Sequence, residues 1–305
     1  MIQSRQIAIV APSGYATDAA DFERGLWRLR ALGHQVHDFS KDYPRHQRFA
    51  ATDTERLAQL HAAARHPDVE IIIALRGGYG LSRLLPDIDF GLLAHSGKLL
   101  VGHSDFTALQ LGLLAKTGKA SFAGPMICDD FSRLDISEFT HKHFWGCIAQ
   151  SSYQIEIPYK GNPALEVTGR LWGGNLAMLA HLAGTPWMPE VDGGILFIED
   201  VNEHPFRIER MLLQLWHAGV LSRQKAILFG DFSGYKLSDY DNGYDFNSML
   251  SELRQRFGLP LLQGLPFGHT RDKLTLPVGA QCSLRSDEQG LKLSLDDYPS
   301  LATRA

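Results

Sequence analysis

The sequence predicts an α/β protein of two domains: an N-terminal doubly wound parallel sheet and a C-terminal α/β domain rich in β-structure. Three observations predict it. Short apolar runs alternate with stretches of helical period up to about Leu114. Residues 129–163 then lose any sustained period. From Leu265 onward the text turns β-like, with frequent turn residues. These place an N-terminal domain at 1–135, a linker at 136–163 and a C-terminal domain at 164–305.

In chain order, residues 7–11 read as a first strand rather than a signal peptide, because no long apolar core or small-residue cleavage site follows a basic start. Phe22, Leu26, Leu29 and Leu32 mark a helix over 21–32, stopped by Gly33. Residues 35–39 form a short strand. Thr52 and Glu55 make a capping box for a helix over 52–65. The run Ile71-Ile-Ile-Ala-Leu75 suits a parallel strand covered on both faces, and 99–101 is the next. A helix opens near Phe106 and carries Leu109, Leu113 and Leu114. Strands joined through helices imply right-handed crossovers, with ligands gathering at the carboxyl ends of the strands. Arg76-Gly77-Gly78-Tyr79-Gly80 and Ser104 both fall at such ends. In the second half, Gly173-Gly174-Asn175 opens a helix, 194–198 is an apolar strand ending at Glu199-Asp200, 208–218 is an amphipathic helix and 226–230 another strand. No internal repeat or low-complexity tract is present.

The composition is that of a soluble, well-packed protein: 44% hydrophobic, 21% charged, net charge −4. Lys and Arg are dispersed, which argues against a nucleic-acid surface. No apolar stretch is long enough to span a bilayer. Cys128, Cys147 and Cys282 are odd in number and widely spaced, so neither a disulfide framework nor a metal site is expected, and a reducing cytoplasm fits.

Ser104, in Leu99-Leu-Val-Gly-His-Ser104-Asp105-Phe106, stands at the tip of a sharp turn that Gly102 permits between a strand and a helix. Such an elbow exposes a hydroxyl beside the free amides of a helix N-terminus, where an oxyanion is stabilised. The same serine suits an ordinary N-cap, and from this string alone the cap is the simpler reading. Phe106 also replaces the second glycine of Gly-x-Ser-x-Gly. Glu199 ends an apolar strand, where a carboxylate needs a partner, although a salt bridge or cap would satisfy it equally. His269 sits in the loop Leu265-Pro-Phe-Gly-His, one of 13 histidines. His103 is too close in sequence to Ser104 to face it and reads as a packing residue or as a support behind the site. The glycines at 77, 78 and 80 fit a tight turn and match no nucleotide-binding fingerprint. Gly173-Gly174-Asn175 reads as a helix start, with Trp172 a candidate cleft wall.

A serine nucleophile requires a base and an acid that orients it, in any chain order, so composition cannot choose among these residues. Resemblance does. Seven blocks occur in order: Ala8-Ile-Val-Ala-Pro-Ser-Gly14, Arg76-Gly-Gly-Tyr-Gly80, Gly102-His-Ser-Asp-Phe-Thr-Ala-Leu109, Gly173-Gly-Asn-Leu176, Leu196-Phe-Ile-Glu-Asp200, Arg207-Ile-Glu-Arg210 and Gly268-His269. Over nearly its whole length the chain resembles the LD-carboxypeptidase family of serine peptidases, the muramoyltetrapeptide carboxypeptidases.

The resemblance implies Ser104 as nucleophile, His269 as general base and Glu199 as its orienting acid, with the amides of Asp105 and Gly78 as the oxyanion hole. The active site would lie in the cleft between the domains. It implies cytoplasmic release of terminal D-alanine from murein tetrapeptides (free, sugar-linked or nucleotide-linked) during peptidoglycan recycling, by a homodimer without cofactor or metal. A bound terminal carboxylate needs cationic or amide partners, and Arg76 and Arg207 are the candidates, with Gly77 a further substrate contact. Two rival readings use the same chain differently. One is a related hydrolase of an acyl-nucleotide-like antibiotic conjugate or another amide. The other is a two-domain small-molecule sensor without chemistry, against which the joint presence of Ser104, Glu199 and His269 argues.

Overall fold

A computed structural model describes residues 3–304. Five strands of the first sheet, β1 (Gln6–Val10), β2 (Gln35–Asp38), β3 (Ile71–Ala74), β4 (Leu99–Gly102) and β5 (Ser121–Ala123), are parallel to one another. The connecting helices are α1 (Ala19–Ala31), α2 (Asp53–Arg65), the short α3 (Leu81–Leu84) and α4 (Phe90–His95), and α5 (Thr107–Thr117). Thr52 and Glu55 close the capping box of α2 as the sequence predicts, and α1 starts earlier than its apolar period indicates, because Asp18 accepts from the amides of Ala20 and Asp21. β3 and β4 are buried throughout, as a parallel strand covered on both faces must be.

The chain then runs through one wide π-type turn (Ile127–Phe131) into α6 (Glu138–Ala149) and β6 (Tyr153–Ile157). Thus the segment read as irregular contains a capped helix and an edge strand. The second sheet comprises β6, β7 (Leu165–Asn175), β8 (Ile195–Val201), β9 (Ala226–Ser233), β10 (Leu261–Leu262), β12 (Gln281–Asp287) and β13 (Gly290–Asp296), in the order β10-β9-β8-β7-β12-β13-β6. Its β10-β9-β8-β7 half is parallel and its β7-β12-β13-β6 half antiparallel. α7 (Leu176–Leu182), α8 (Pro205–His217) and α9 (Phe246–Phe257) complete this half of the chain. One strand crosses over: β11 (Leu276–Val278) pairs antiparallel with β5 and closes the edge of the first sheet, whose order is β11-β5-β4-β3-β1-β2.

This order contains the feature that positions the site. The chain builds β2 on one side of β1, then returns to add β3, β4 and β5 on the other. The loops after β1, β3 and β4 therefore meet at the switch point, where an open α/β sheet leaves a crevice. The second sheet is joined to that rim directly: the Asn175 amide at the end of β7 donates to Thr107 Oγ1 at the start of α5 (3.1 Å).

Candidate active site

Ser104 is the left-handed residue of the elbow, with φ of 61°. L-residues occupy that region at a cost of roughly 1–2 kcal/mol, so the turn is held by its surroundings. Gly102 is not the residue that bends. A Cβ there would stand 2.7 Å from the Phe106 ring, so its role is to admit that ring, which is why Phe106 stands where the second glycine of the elbow motif would be. Nor is Ser104 a cap. Its hydroxyl bonds no backbone amide and has no hydrogen-bond partner among the described residues. A tight turn over 104–106 leads into α5.

The rim is fastened beneath it. Asp105 is buried, and its Oδ2 accepts from Ser13 Oγ after β1 (2.6 Å) and from the Leu81 amide after the glycine turn (2.9 Å). Burial raises its carboxyl above the ordinary value, against the pull of those two bonds and of Arg56. The Gly14 amide donates to the Gly77 carbonyl at 3.3 Å, tying the first loop to the second. Gly77 presses on the elbow: a Cβ on it would lie 2.8 Å from Ser104 Oγ and 3.5 Å from the Asp105 amide nitrogen. Gly78 follows with φ of 114°, a conformation that glycine adopts freely.

Glu199 and Asn175 are register partners on β8 and β7. The pairing of β8 with β9 slips between Ile198 and Asp200, a bulge that re-aims the intervening side chain. Glu199 is fully buried (0% exposed). Its Oε1 accepts from Asn175 Nδ2 (3.2 Å) and its Oε2 bonds His269 Nδ1 (2.8 Å). The same Asn175 amide donates to Asp200 Oδ1 at 3.1 Å. Burial, and then the Glu199 charge, push the Asp200 carboxyl up to about 6. Gly268, at φ of 136°, lets the His269 loop lie against Glu199; a Cβ there would be 3.1 Å from Oε2.

A carboxylate only accepts, so Nδ1 of His269 carries the proton and Nε2 presents a lone pair. Nε2 has no partner among the described residues, and the side chain remains 24% exposed. Burial by itself depresses this imidazole, but the bond to Glu199 and its charge outweigh that, so the pKa lies above the ordinary histidine value. Lys273 opposes the rise and Asp129 adds to it. His103, the neighbour of Ser104, has its ring 5.3 Å from the His269 ring. The half-buried Ser104 and the oriented His269 imidazole thus both border His103, one as its chain neighbour and the other through its ring. Such a set suits nucleophilic acyl transfer.

The other candidates separate. Trp172 does not wall a cleft: it is fully buried in β7, with Nε1 donating to Gln224 Oε1 (2.8 Å), because its strand is covered on both faces. Arg207 lies in the first turn of α8, its side chain 54% exposed and 3.7 Å from Glu203. Arg76 is half-buried on the rim and donates to the Tyr15 carbonyl (3.3 Å). His103 packs, as its sequence position implies. Burial pushes the thiols of Cys128, Cys147 and Cys282 to about 12. Among the described residues no His, Cys, Asp and Glu side chains cluster as a metal site would require, and no helix is long and apolar enough to cross a membrane. Sequence reasoning missed Asn175 as the donor to Glu199 and Asp200, and missed the buried pair of Lys273 with Asp130. Asn175 is signalled only by its place in Gly-Gly-Asn; the pair, 143 positions apart by subtraction of the two residue numbers, has no local signal.

The LD-carboxypeptidase N-terminal domain matches residues 7–124, and the LD-carboxypeptidase C-terminal domain matches residues 168–284. The chain is similar to a probable murein peptide carboxypeptidase of Bacillus subtilis, at 31% identity over 290 residues covering 93% of this chain and 89% of that one. Its structure is similar to that of a muramoyltetrapeptide carboxypeptidase from Oxalobacter formigenes. The TM-score is 0.92 at 55% identity, covering 97% of this chain and 100% of that one. A structure of MccF in complex with glutamyl sulfamoyl guanosine superposes with a TM-score of 0.88 at 25% identity, covering 98% of each chain. With both of its domain models matched in order and such relatives along almost its full length, the chain belongs to the LD-carboxypeptidase family of serine-type peptidases.

Proposed function

We propose that this enzyme hydrolyses the L,D-peptide bond before the terminal D-alanine of murein tetrapeptides, with Ser104 as nucleophile, His269 as general base and Glu199 as the acid that orients it. The observation that carries this reading is the 2.8 Å bond from His269 Nδ1 to the buried Glu199, which leaves Nε2 without a partner on a ring that packs against His103, the residue before Ser104. Ser104 Oγ attacks the scissile carbonyl carbon as its proton passes to His269 Nε2. The carbonyl oxygen takes the negative charge and is received by the amides of Asp105 and Gly78, in the space that the missing Cβ of Gly77 leaves open. The C–N bond breaks as His269 returns the proton to the amine of departing D-alanine. Water then gives a proton to His269 and attacks the acyl ester, and Ser104 recovers its hydrogen.

Arg76 and Arg207 are proposed to meet the peptide's terminal carboxylate, Arg76 from the rim itself, and Gly77 to contact the substrate beside Ser104. The names of the relatives support a murein substrate. The enzyme is further proposed to work in the cytoplasm, as a homodimer, in peptidoglycan recycling. The MccF complex supports a second reading on the same triad, cleavage of an aminoacyl-nucleotide-like amide; the 55% identity to a muramoyltetrapeptide carboxypeptidase favours the first.

The test compares a tetrapeptide whose D-alanine carboxylate is free with its amide. Cleavage of the free acid and a sharp loss with the amide support a carboxypeptidase. Equal rates would show a general amidase and remove the assignment while leaving the triad standing.

A further inference from the structure

Behind the His269–Glu199 pair lies a buried cation. Lys273 is 1% exposed, and its Nζ is 2.8 Å from Oδ1 of Asp130, itself 2% exposed. The clamp is rigid at both ends: Asp130 Oδ2 accepts from the Met126 amide (2.8 Å), and the Lys273 amide donates to Thr140 Oγ1 (2.9 Å). The same ammonium is 3.4 Å from Nε2 of His103. Nδ1 of that ring is 2.9 Å from the Gly124 carbonyl, which only accepts. The proton of neutral His103 is therefore on Nδ1, and Nε2 turns a lone pair to Lys273. Burial first, then the charges of Lys273 and His269, hold His103 well below the ordinary histidine value. Its ring meets that of His269 edge to face, the planes inclined at 73°.

A buried ion pair adds little stability over apolar side chains of the same volume. This one touches the imidazole that precedes Ser104 in the chain and packs against the His269 ring. We propose that Lys273 is a positioning residue of the active site: its ammonium, clamped by Asp130, locks the tautomer and plane of His103 beneath His269 and holds a positive charge behind the base. The proposal rests on the reading of His269 as that base.

The groups facing His269 fix the sign of the effect. Glu199 on β8 and Asp129 in the π-type turn favour the imidazolium, and Lys273 disfavours it. His103 is neutral, Asp231 on β9 flanks Gly268, and Arg271 points away to Asp135 and Asp272. With the cation removed, Glu199 and Asp129 act less opposed. His269 then stays protonated to higher pH, and the acid limb of kcat/KM moves up.

The experiment is the pH profile of kcat/KM for wild type, Lys273→Met and Lys273→Met/Asp130→Asn. The double variant replaces the ion pair with neutral side chains of similar volume, and its fold is checked by thermal melting. The acid limb is expected to rise by about 0.5–1 pH unit in Lys273→Met and by less in the double variant, which also removes the opposing Asp130 carboxylate 2.8 Å from the ammonium. A limb at the wild-type position in folded Lys273→Met, with only the plateau lowered, would overturn the proposal. A second reading needs no variant: ring-nitrogen NMR of wild type should show His103 neutral, with the proton on Nδ1, through the acid limb. A protonated His103, or a proton on Nε2, overturns the proposal whatever the variants do. Failure of the underlying reading is distinct, because His269→Ala would then keep its turnover.

Discussion

Gly77 and Ser104 share one volume: a Cβ on Gly77 would stand 2.7 Å from the Cβ of Ser104 and 2.8 Å from its hydroxyl oxygen. The loop after β3 can reach the elbow after β4 only because position 77 has no side chain. The space so kept also borders the Asp105 amide nitrogen, at 3.5 Å, where the carbonyl oxygen of a bound peptide would develop its charge.

Gly77→Ala should therefore destroy activity more than stability. The added methyl pushes the hydroxyl aside and fills the oxyanion space, so kcat should fall by about 100-fold or more. The packing cost is of the order of 1–3 kcal/mol. Steady-state kinetics with a thermal melt checks both, and turnover close to wild type would show that the reacting atoms lie elsewhere.

The two readings of Ser104 separate by stability alone. An N-cap serine loses about 0.5–2 kcal/mol when replaced by alanine. Here the hydroxyl has no backbone partner, and alanine occupies the same left-handed conformation at a similar cost. Ser104→Ala should thus unfold in denaturant within a few tenths of a kcal/mol of wild type. A loss of cap size would contradict the elbow geometry.

Much of this site is legible in the sequence because its parts obey local rules. The strand ends that carry Arg76, Ser104 and Glu199 follow from apolar runs and their stops, and the capping box of α2 from two residues. What was not legible is what local rules do not carry. β6 alternates apolar and polar residues but over only five positions inside an otherwise aperiodic stretch, and the glycine-rich β7 loses its alternation after Thr168; both are fixed by pairing with β13 and β12. Trp172 read as a cleft wall because glycines follow it, whereas the parallel pairing of β7 with β8 buries it. The strained residue of the elbow proved to be Ser104 itself, since glycine is the usual answer to a turn and Gly102 is used instead for close packing. The assignment of Glu199 and His269 to each other came from resemblance; their 2.8 Å bond depends on a bulge and a loop brought together by the second sheet.

Glu199→Gln should keep the shape and lose the base. The imidazolium loses its counter-charge, and an amide at this position can favour the wrong tautomer, so kcat should drop by about 10⁴-fold with KM little changed. The sign in pH follows from the raised pKa of His269: activity in wild type rises with pH through a midpoint above about 6.5, and the residual limb of the variant lies lower. In stability the linkage runs the other way. The imidazolium–Glu199 pair contributes fully below about 6.5 and is lost as pH rises through the folded-state value. An unchanged kcat would leave Glu199 a structural carboxylate and direct the test to Asp200.

His141 supplies an acid-sensitive element away from the chemistry. Burial first, then Arg28, lowers its pKa to about 4, and its ring packs against Phe131 with centroids 5.0 Å apart. The unfolded chain binds this proton near pH 6.5, the folded chain only near 4. Stability from the neutral ring is present above about 6.5 and is lost as pH falls toward 4. His141→Phe should flatten the decline of unfolding free energy over that window, by up to one proton in slope. An identical slope in both proteins would show that other groups carry the acid sensitivity.

The central claim, a serine carboxypeptidase acting on murein tetrapeptide, is tested most directly by incubating purified tetrapeptide with wild type and with Ser104→Ala and following D-alanine release by mass. The account predicts release by wild type and a rate lower by about three orders of magnitude or more in the variant, with both proteins folded. Release by Ser104→Ala at the wild-type rate would contradict it.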